Sequence, residues 1–371
     1  MKKYISFFIT VVMMVCTLSA CGTGSKEASA DSTGSKEVSA GNEKLKIVTT
    51  IFPEYDWVMN ILGDNPAGAE VTMLLENGVD LHSYQPTADD ILKISTCDMF
   101  IYVGGESDEW VEEALKEAVN KDMAVINLLD ALGDSVKEEE VKEGMQEHDH
   151  DHDHEEAGEE ADHEHEEDEH EHEEDEHEHE EDEHGHEHEE GETEYDEHVW
   201  LSLRNAEALV GSICDSLAGI DPENAKNYRS NASAYIEKLN SLDEEYKTAV
   251  SSAPNKTILF GDRFPFRYLT DDYGLDYYAA FVGCSAETEA SFETITFLAQ
   301  KVDELGLSAV MTIEGADHRI AETIVQNTQN KNARILTMDS MQGMTSGDVK
   351  SGKTYLSVME SNLAVLKEAL N

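Results

Sequence analysis

The chain has 371 residues, with 26 Lys and Arg against 81 Asp and Glu, a formal net charge of −55. That length accommodates two ordinary domains with cores of their own. That charge repels a phosphate backbone, which excludes nucleic acid as a partner and favours cations.

Lys2 and Lys3, the apolar run from Tyr4 to Val15 and the sequence Leu18-Ser19-Ala20-Cys21 read as a secretory signal over residues 1–20, not as structure. The apolar run is short for a spanning helix. Leu-Ser-Ala-Cys resembles a bacterial lipobox, which implies cleavage before Cys21 and lipid on its sulfur. Residues 21–43, rich in Ser, Gly, Lys, Glu and Ala, form a flexible tether. The mature chain is therefore expected on the extracytoplasmic face of the cell membrane, held by its lipid. Of the five cysteines, Cys97, Cys214 and Cys284 then remain, an odd number that makes no disulfide framework. Cys97 and Cys214 lie in apolar segments and read as packing residues; Cys284 lies in a loop.

A first lobe is predicted over residues 44–220. Strands fall at Lys44 to Thr50, Glu70 to Leu75, Met99 to Val103 and Ala124 to Leu128, from β-branched and apolar runs. Helices fall between them, from Pro53 to Leu62, Ala88 to Ser95 with Thr87 as cap, and Asp108 to Asn120. This β-α-β-α order implies a mostly parallel sheet flanked by helices. Residues 138–197 interrupt it as an acidic, His-rich insertion. Thirteen of the sixteen histidines lie there: His148, His150, His152, His154, His163, His165, His170, His172, His177, His179, His184, His186 and His188. A seven-residue unit repeats from His163, His170 and His177; no position of it is apolar, so it is no coiled coil. With almost no apolar surface the run cannot fold alone. Its imidazoles suit zinc, copper or nickel, and its carboxylates concentrate cations, so it reads as an auxiliary, low-affinity metal store.

Beyond it, Leu203 to Ala218 is amphipathic, and residues 221–253 form a linking helix of some thirty residues, about 45 Å long. The alternation then restarts in a second lobe, residues 254–371. Strands are predicted at Thr257 to Phe260, Leu275 to Ala280, Ala309 to Glu314 and Arg334 to Met338. Helices are predicted at Pro265 to Tyr273, Glu293 to Leu305, Arg319 to Thr328 and Thr354 to Leu370. The fold class is α/β: two lobes, each a mostly parallel sheet flanked by helices, joined by one long helix.

Ligands of open parallel sheets bind beyond the carboxyl ends of the strands. His82, His198, Asp262, Cys284, His318 and Asp339 fall there. Taken singly, His318 reads as a surface neighbour of Arg319 and Cys284 as a loop cysteine. Asp262 could equally cap its helix or pair with Arg263. His82, His198 and Asp339 stand where ligands from both lobes would meet one cation, zinc or else manganese or iron.

The chain from about Lys44 onward resembles the solute-binding lipoproteins of bacterial ABC transporters for zinc and manganese. The marks are Ile47-Val48-Thr49-Thr50-Ile51-Phe52-Pro53, Gly78-Val79-Asp80-Leu81-His82-Ser83-Tyr84-Gln85-Pro86-Thr87, Val103-Gly104-Gly105 leading to Trp110, and His198-Val199-Trp200-Leu201 with Asn205-Ala206. An acidic His-rich insertion ahead of the second histidine is similar to the zinc-importing branch. The resemblance implies His82 and His198 as first-lobe ligands and Asp339 as the second-lobe carboxylate. It implies a third ligand directly after the first strand of the second lobe, where this chain has Gly261; Asp262 is the expected substitute, with His318 or a loop histidine as alternatives. The expected function is capture of Zn²⁺ (Mn²⁺ as the alternative) and delivery to an ABC permease by a monomer. A surface zinc buffer or adhesin is the competing binding role. A hydrolase is not expected, since no HExxH helix, nucleophile elbow or phosphate-binding Gly loop is present.

Overall fold

A computed structural model describes residues 44–146, 194–285 and 288–371. The signal segment, the tether with Cys21 and the thirteen histidines of the acidic run lie outside the described residues.

Residues 44–371 form one compact unit containing two four-stranded parallel sheets. The first comprises β1 (Lys46–Thr49), β2 (Glu70–Met73), β3 (Met99–Tyr102) and β4 (Ala124–Asn127), in the spatial order β2-β1-β3-β4. Its helices are α1 (Phe52–Leu62), α2 (Ala88–Thr96), α3 (Trp110–Lys116), α4 (Leu128–Leu132) and α5 (Leu203–Ile220). Then comes α6 (Ala225–Ser252), followed by β5 (Thr257–Phe264), α7 (Arg267–Tyr273), β6 (Asp276–Val282), α8 (Phe292–Leu305), β7 (Ala309–Ile313), α9 (Arg319–Asn327), β8 (Arg334–Met338), α10 (Ser346–Lys350) and α11 (Tyr355–Ala369). The second sheet repeats the first order as β6-β5-β7-β8. Crossover helices between parallel strands give each sheet a point where the winding reverses, between β1 and β3 and between β5 and β7.

Four segments depart from expectation. The helix predicted to Asn120 stops at Lys116, because the N–H groups of both Val119 and Asn120 turn back to the Ser95 carbonyl, each at 2.9 Å. Sequence periodicity cannot see that long-range acceptor. α4 and α10 were not anticipated; each is one short turn opened by a side-chain cap, Asn127 to the Asp130 N–H and Thr345 to the Asp348 N–H. β5 runs four residues past Phe260, since after an irregularity at Gly261–Asp262 its pairing with β6 resumes at Arg263–Phe281 and Phe264–Val282.

Burial explains the long helix. Tyr228, Ala232, Tyr235, Leu239, Leu242, Tyr246 and Val250 of α6 are all buried, recurring every three or four residues on one face. They join a continuous core containing Trp57, Phe100, Trp200, Phe260 and Tyr355, so side chains from both sheets share it. Tyr246 donates its hydroxyl to the Met359 carbonyl at 2.6 Å. The other face of the second sheet has a smaller core of Leu259, Phe281, Leu298, Val310 and Ile324 under α8 and α9. Gly261 lies beneath α9, where a Cβ would come within 2.6 Å of the Ala321 Cα. Among the described residues no helix is long and apolar enough to cross a membrane.

The two ends of the acidic run are tied together. Glu138 and Tyr195 form an antiparallel bridge. The Glu139 N–H donates to the Glu194 carbonyl and the Asp196 N–H to the Lys137 carbonyl, both at 2.9 Å. Gln146 is anchored to the second sheet, its N–H donating to the Ala280 carbonyl at 2.9 Å.

Candidate metal centre

His82 follows β2 on a single 3₁₀ turn, Leu81–Ser83. Leu81 is buried under it, and Asp80 caps it, accepting the His82 N–H at 3.0 Å. The other oxygen of Asp80 pairs with the Arg263 guanidinium at the end of β5. Burial acts to raise Asp80, but Arg263 and then His82 outweigh it and hold the carboxyl below its ordinary range.

His198 is completely buried. It precedes the 3₁₀ turn Val199–Leu201, whose three side chains are buried too. Trp200 fixes this turn against the second lobe: its indole N–H donates to the Ser340 carbonyl at 2.9 Å, and its own carbonyl accepts the Tyr355 hydroxyl at 2.6 Å.

These two anchors bring the imidazoles together, with 3.2 Å between His82 Nε2 and His198 Nε2. Two Zn–N bonds of about 2.0–2.1 Å at a tetrahedral angle place their nitrogens about 3.4 Å apart, close to the observed spacing. Each ring is oriented through its other nitrogen. His82 Nδ1 lies 2.7 Å from Ser107 Oγ and 3.4 Å from Glu197 Oε2. His198 Nδ1 lies 3.0 Å from Asp196 Oδ1. Carboxylates behind Nδ1 keep the proton there and leave the Nε2 lone pairs facing one point, the arrangement that supports metal-bound histidines. The Gln342 amide sits at that point, its Nε2 3.2 Å from His82 Nε2 and 2.5 Å from His198 Nε2, donating toward both lone pairs. Gln342 is held there by Glu314, which accepts the Gln342 N–H at 3.1 Å and the Ser340 N–H at 2.7 Å.

A third donor approaches from the second lobe. His82, His198 and Cys284 each present a ligand atom within 4.8 Å of the others, the one such group of three or more among the described residues. Cys284 stands two residues beyond β6, where the extended β5–β6 pairing delivers it, and its N–H donates to Glu139 Oε1 at 3.2 Å. Gly283 lets the turn press on His198, since a Cβ there would lie 3.0 Å from His198 Cε1. Burial and the nearby Asp196, Glu197 and Glu139 carboxylates push the Cys284 thiol well up.

The other sequence candidates are placed elsewhere. Asp262 is outside the group: its oxygens accept the backbone N–H groups of Arg263 at 2.9 Å and Ile313 at 3.2 Å, so it ties β5 to β7. Asp339 is outside the group as well; it accepts the Met341 N–H at 2.8 Å and lies 3.9 Å from Lys353 Nζ. His318 caps α9 in a left-handed conformation with Nδ1 3.2 Å from Thr312 Oγ, lining a cavity of about 610 Å³ with Asp262, Arg263 and Gln342. Sequence reading passed over Gln342 and set Cys284 aside. The acid pair directly ahead of His198 was the available signal for the orienting carboxylates.

A pocket of about 260 Å³ borders His82 and Cys284 and is lined by Glu106, Glu139, Glu194 and Glu197. Burial and then mutual repulsion raise Glu106 and Glu139, so a cation entering would relieve unfavourable charge. Glu197 is held low: burial acts to raise it, but His82 and Ser107 outweigh that. Gly105 makes this possible, because a Cβ there would lie 2.4 Å from Glu197 Oε1. Behind it, burial and to a lesser degree the charge of Glu197 push Asp108 up to about 7 from an ordinary 3.8. The folded-state value lies above the unfolded one, so this group's contribution to stability is complete below about pH 4 and is lost as pH rises through about 7. Asp108→Asn keeps an acceptor for the Gly104 N–H, now met at 3.0 Å, and removes that loss. With chelator present, its melting temperature should exceed that of the parent at about pH 8 and match it near pH 4; equal melting curves at both would refute the assignment.

The family model for zinc-uptake complex component A, periplasmic (ZnuA), matches residues 47–369. The chain belongs to the ZnuA family. This ZnuA-family chain is 33% identical over 327 residues to the zinc-binding lipoprotein AdcA of Streptococcus pneumoniae (strain R6), covering 88% of this chain and 56% of that protein. It thus spans about half the length of the AdcA relatives it matches. It is 28% identical to the high-affinity zinc uptake system protein ZnuA of Bacillus subtilis over 369 residues, covering 98% of that protein. The Zn(II)-bound ZnuA-like domain of S. pneumoniae AdcA superposes with a TM-score of 0.62 at 28% identity, over 88% of this chain and 99% of that one. The two-lobed α/β architecture is that of these ZnuA-like proteins.

Proposed function

We propose that this ZnuA-family chain captures one Zn²⁺ where its two lobes meet and delivers it to the permease of an ABC importer. The observation that carries this is the pair of Nε2 atoms 3.2 Å apart, each imidazole backed by a carboxylate. Such a pair prefers a borderline ion over manganese, which favours oxygen. Asp339 completes the set from the second lobe by giving up its Met341 N–H; the loop from Asp339 to Gly343 that carries it already brings Gln342 to both imidazoles. The lipid on Cys21 holds the chain at the extracytoplasmic membrane surface. The AdcA relative's name, zinc-binding lipoprotein, supports both zinc and anchor.

The histidines between His148 and His188 act as a weak store of the same ion. Their segment returns at Glu194 and Tyr195, which line the acidic pocket beside His82. Ions released there enter a region of negative potential and need travel only a short way. Zinc titration of the purified chain tests this. One tight site and several weak ones are expected, and deletion of residues 147–190 should remove the weak ones alone. A tight site that disappears with the deletion would move the primary centre into the run.

A further inference from the structure

We propose that Cys284 is a ligand of the captured ion, so that a thiolate joins the two imidazoles and Asp339 and the site selects thiophilic divalent metals. The inference rests on the zinc-capture reading above and deepens it. The Cys284 Sγ, a ring nitrogen of His82 and a ring nitrogen of His198 lie within 4.8 Å of one another. Tetrahedral zinc with Zn–S of about 2.3 Å and Zn–N of about 2.05 Å needs S···N separations of about 3.6 Å. Against a ring nitrogen up to 4.8 Å away, the sulfur has at most about 1.2 Å to close.

The approach of this thiol has structural causes. The β5–β6 ladder continues to Phe264–Val282, which carries β6 up to the imidazoles. Gly283 gives the turn its close contact with His198, and Glu139 holds the Cys284 N–H. Within the neighbouring strand β5, Gly261 offers no donor and α9 leaves no space for one. Glu197, only 2% exposed, borders the same pocket with Oε2 3.4 Å from His82 Nδ1, so negative charge is already in place behind a cation's ligands. Cys97 and Cys214, by contrast, are buried apart from this group.

Binding is an exchange of a proton for the metal: Cys–SH and Zn²⁺ give a Zn–S bond and H⁺, which leaves to solvent. A thiolate donor raises the preference for zinc or cadmium over manganese and magnesium, which favour oxygen ligands.

Cobalt(II) reports the sulfur directly. The full chain titrated with one equivalent of Co²⁺ should show a sulfur-to-cobalt charge-transfer band in the near ultraviolet, absent from Cys284→Ser. The variant should bind zinc about 10²–10³-fold more weakly, the loss of one ligand of four. In the unmodified chain, zinc should protect Cys284 from alkylation, a measurement that needs no variant to fold. If the parent binds one zinc tightly, Cys284→Ser matches it and no band forms, the thiolate assignment is overturned and the histidine site stands. If the parent binds no zinc tightly at all, the capture reading fails and this inference with it.

Discussion

Replacing His82 with alanine should weaken zinc binding by about 10²–10³-fold. An apparent zinc-binding free energy of about 10–16 kcal/mol shared over four ligands is about 3–4 kcal/mol each, and every 1.4 kcal/mol is a factor of about ten. His82 is the cleaner test of the two histidines: its side chain is 9% exposed where that of His198 has no exposure, so its loss should lower the melting temperature of the zinc-free protein less. His198 is fully buried, so its alanine variant also leaves a cavity and lowers stability. Glu197→Gln should cost about 10–100-fold, the usual effect of an orienting partner behind a metal-bound imidazole. Competition titration against a chromophoric chelator reads all three. A His82→Ala protein that keeps parental affinity would remove these imidazoles from the site.

Gly261 should be intolerant of any side chain. A Cβ would stand 2.6 Å from the Cα of Ala321 and 2.9 Å from its N and Cβ atoms, and the backbone of α9 cannot yield as a flexible side chain would. Gly261→Ala is expected to cost about 1–3 kcal/mol by overpacking, a fall of several degrees in melting temperature. Gly261→His, which would restore the ligand that the resemblance implies at this position, should be worse and should not tighten zinc binding, because α9 blocks the imidazole. Thermal unfolding and zinc titration of both variants check this. A stable Gly261→His protein with raised affinity would show that α9 can move aside.

How much of the site was legible follows from the kind of signal each residue carries. His82 and His198 sit in unusual local sequences, Gly78 to Thr87 and His198 to Leu201, whose turn and cap chemistry is short-range and readable. Cys284 had no such context. Its role depends on a ladder irregularity at Gly261–Asp262 that lets β6 run on to Val282, and no local propensity encodes where two parallel strands re-register. The partner of Asp262 is equally long-range: its carboxylate accepts the backbone N–H of Ile313, 51 residues away. Gln342 owes its position to Glu314, which holds the following loop through Ser340 and Gln342.

The chain's own residue pattern was enough for the two parallel sheets, the long α6 and the pair of first-lobe imidazoles, because apolar periodicity, caps and glycine turns act over a few neighbours. It was also enough for the acidic His-rich run, which is a matter of composition. Tertiary structure alone decided which second-lobe atoms face those imidazoles. A coordination sphere is only a few ångströms across, and one slipped register or one helix packed on a bare glycine changes which donor comes near it.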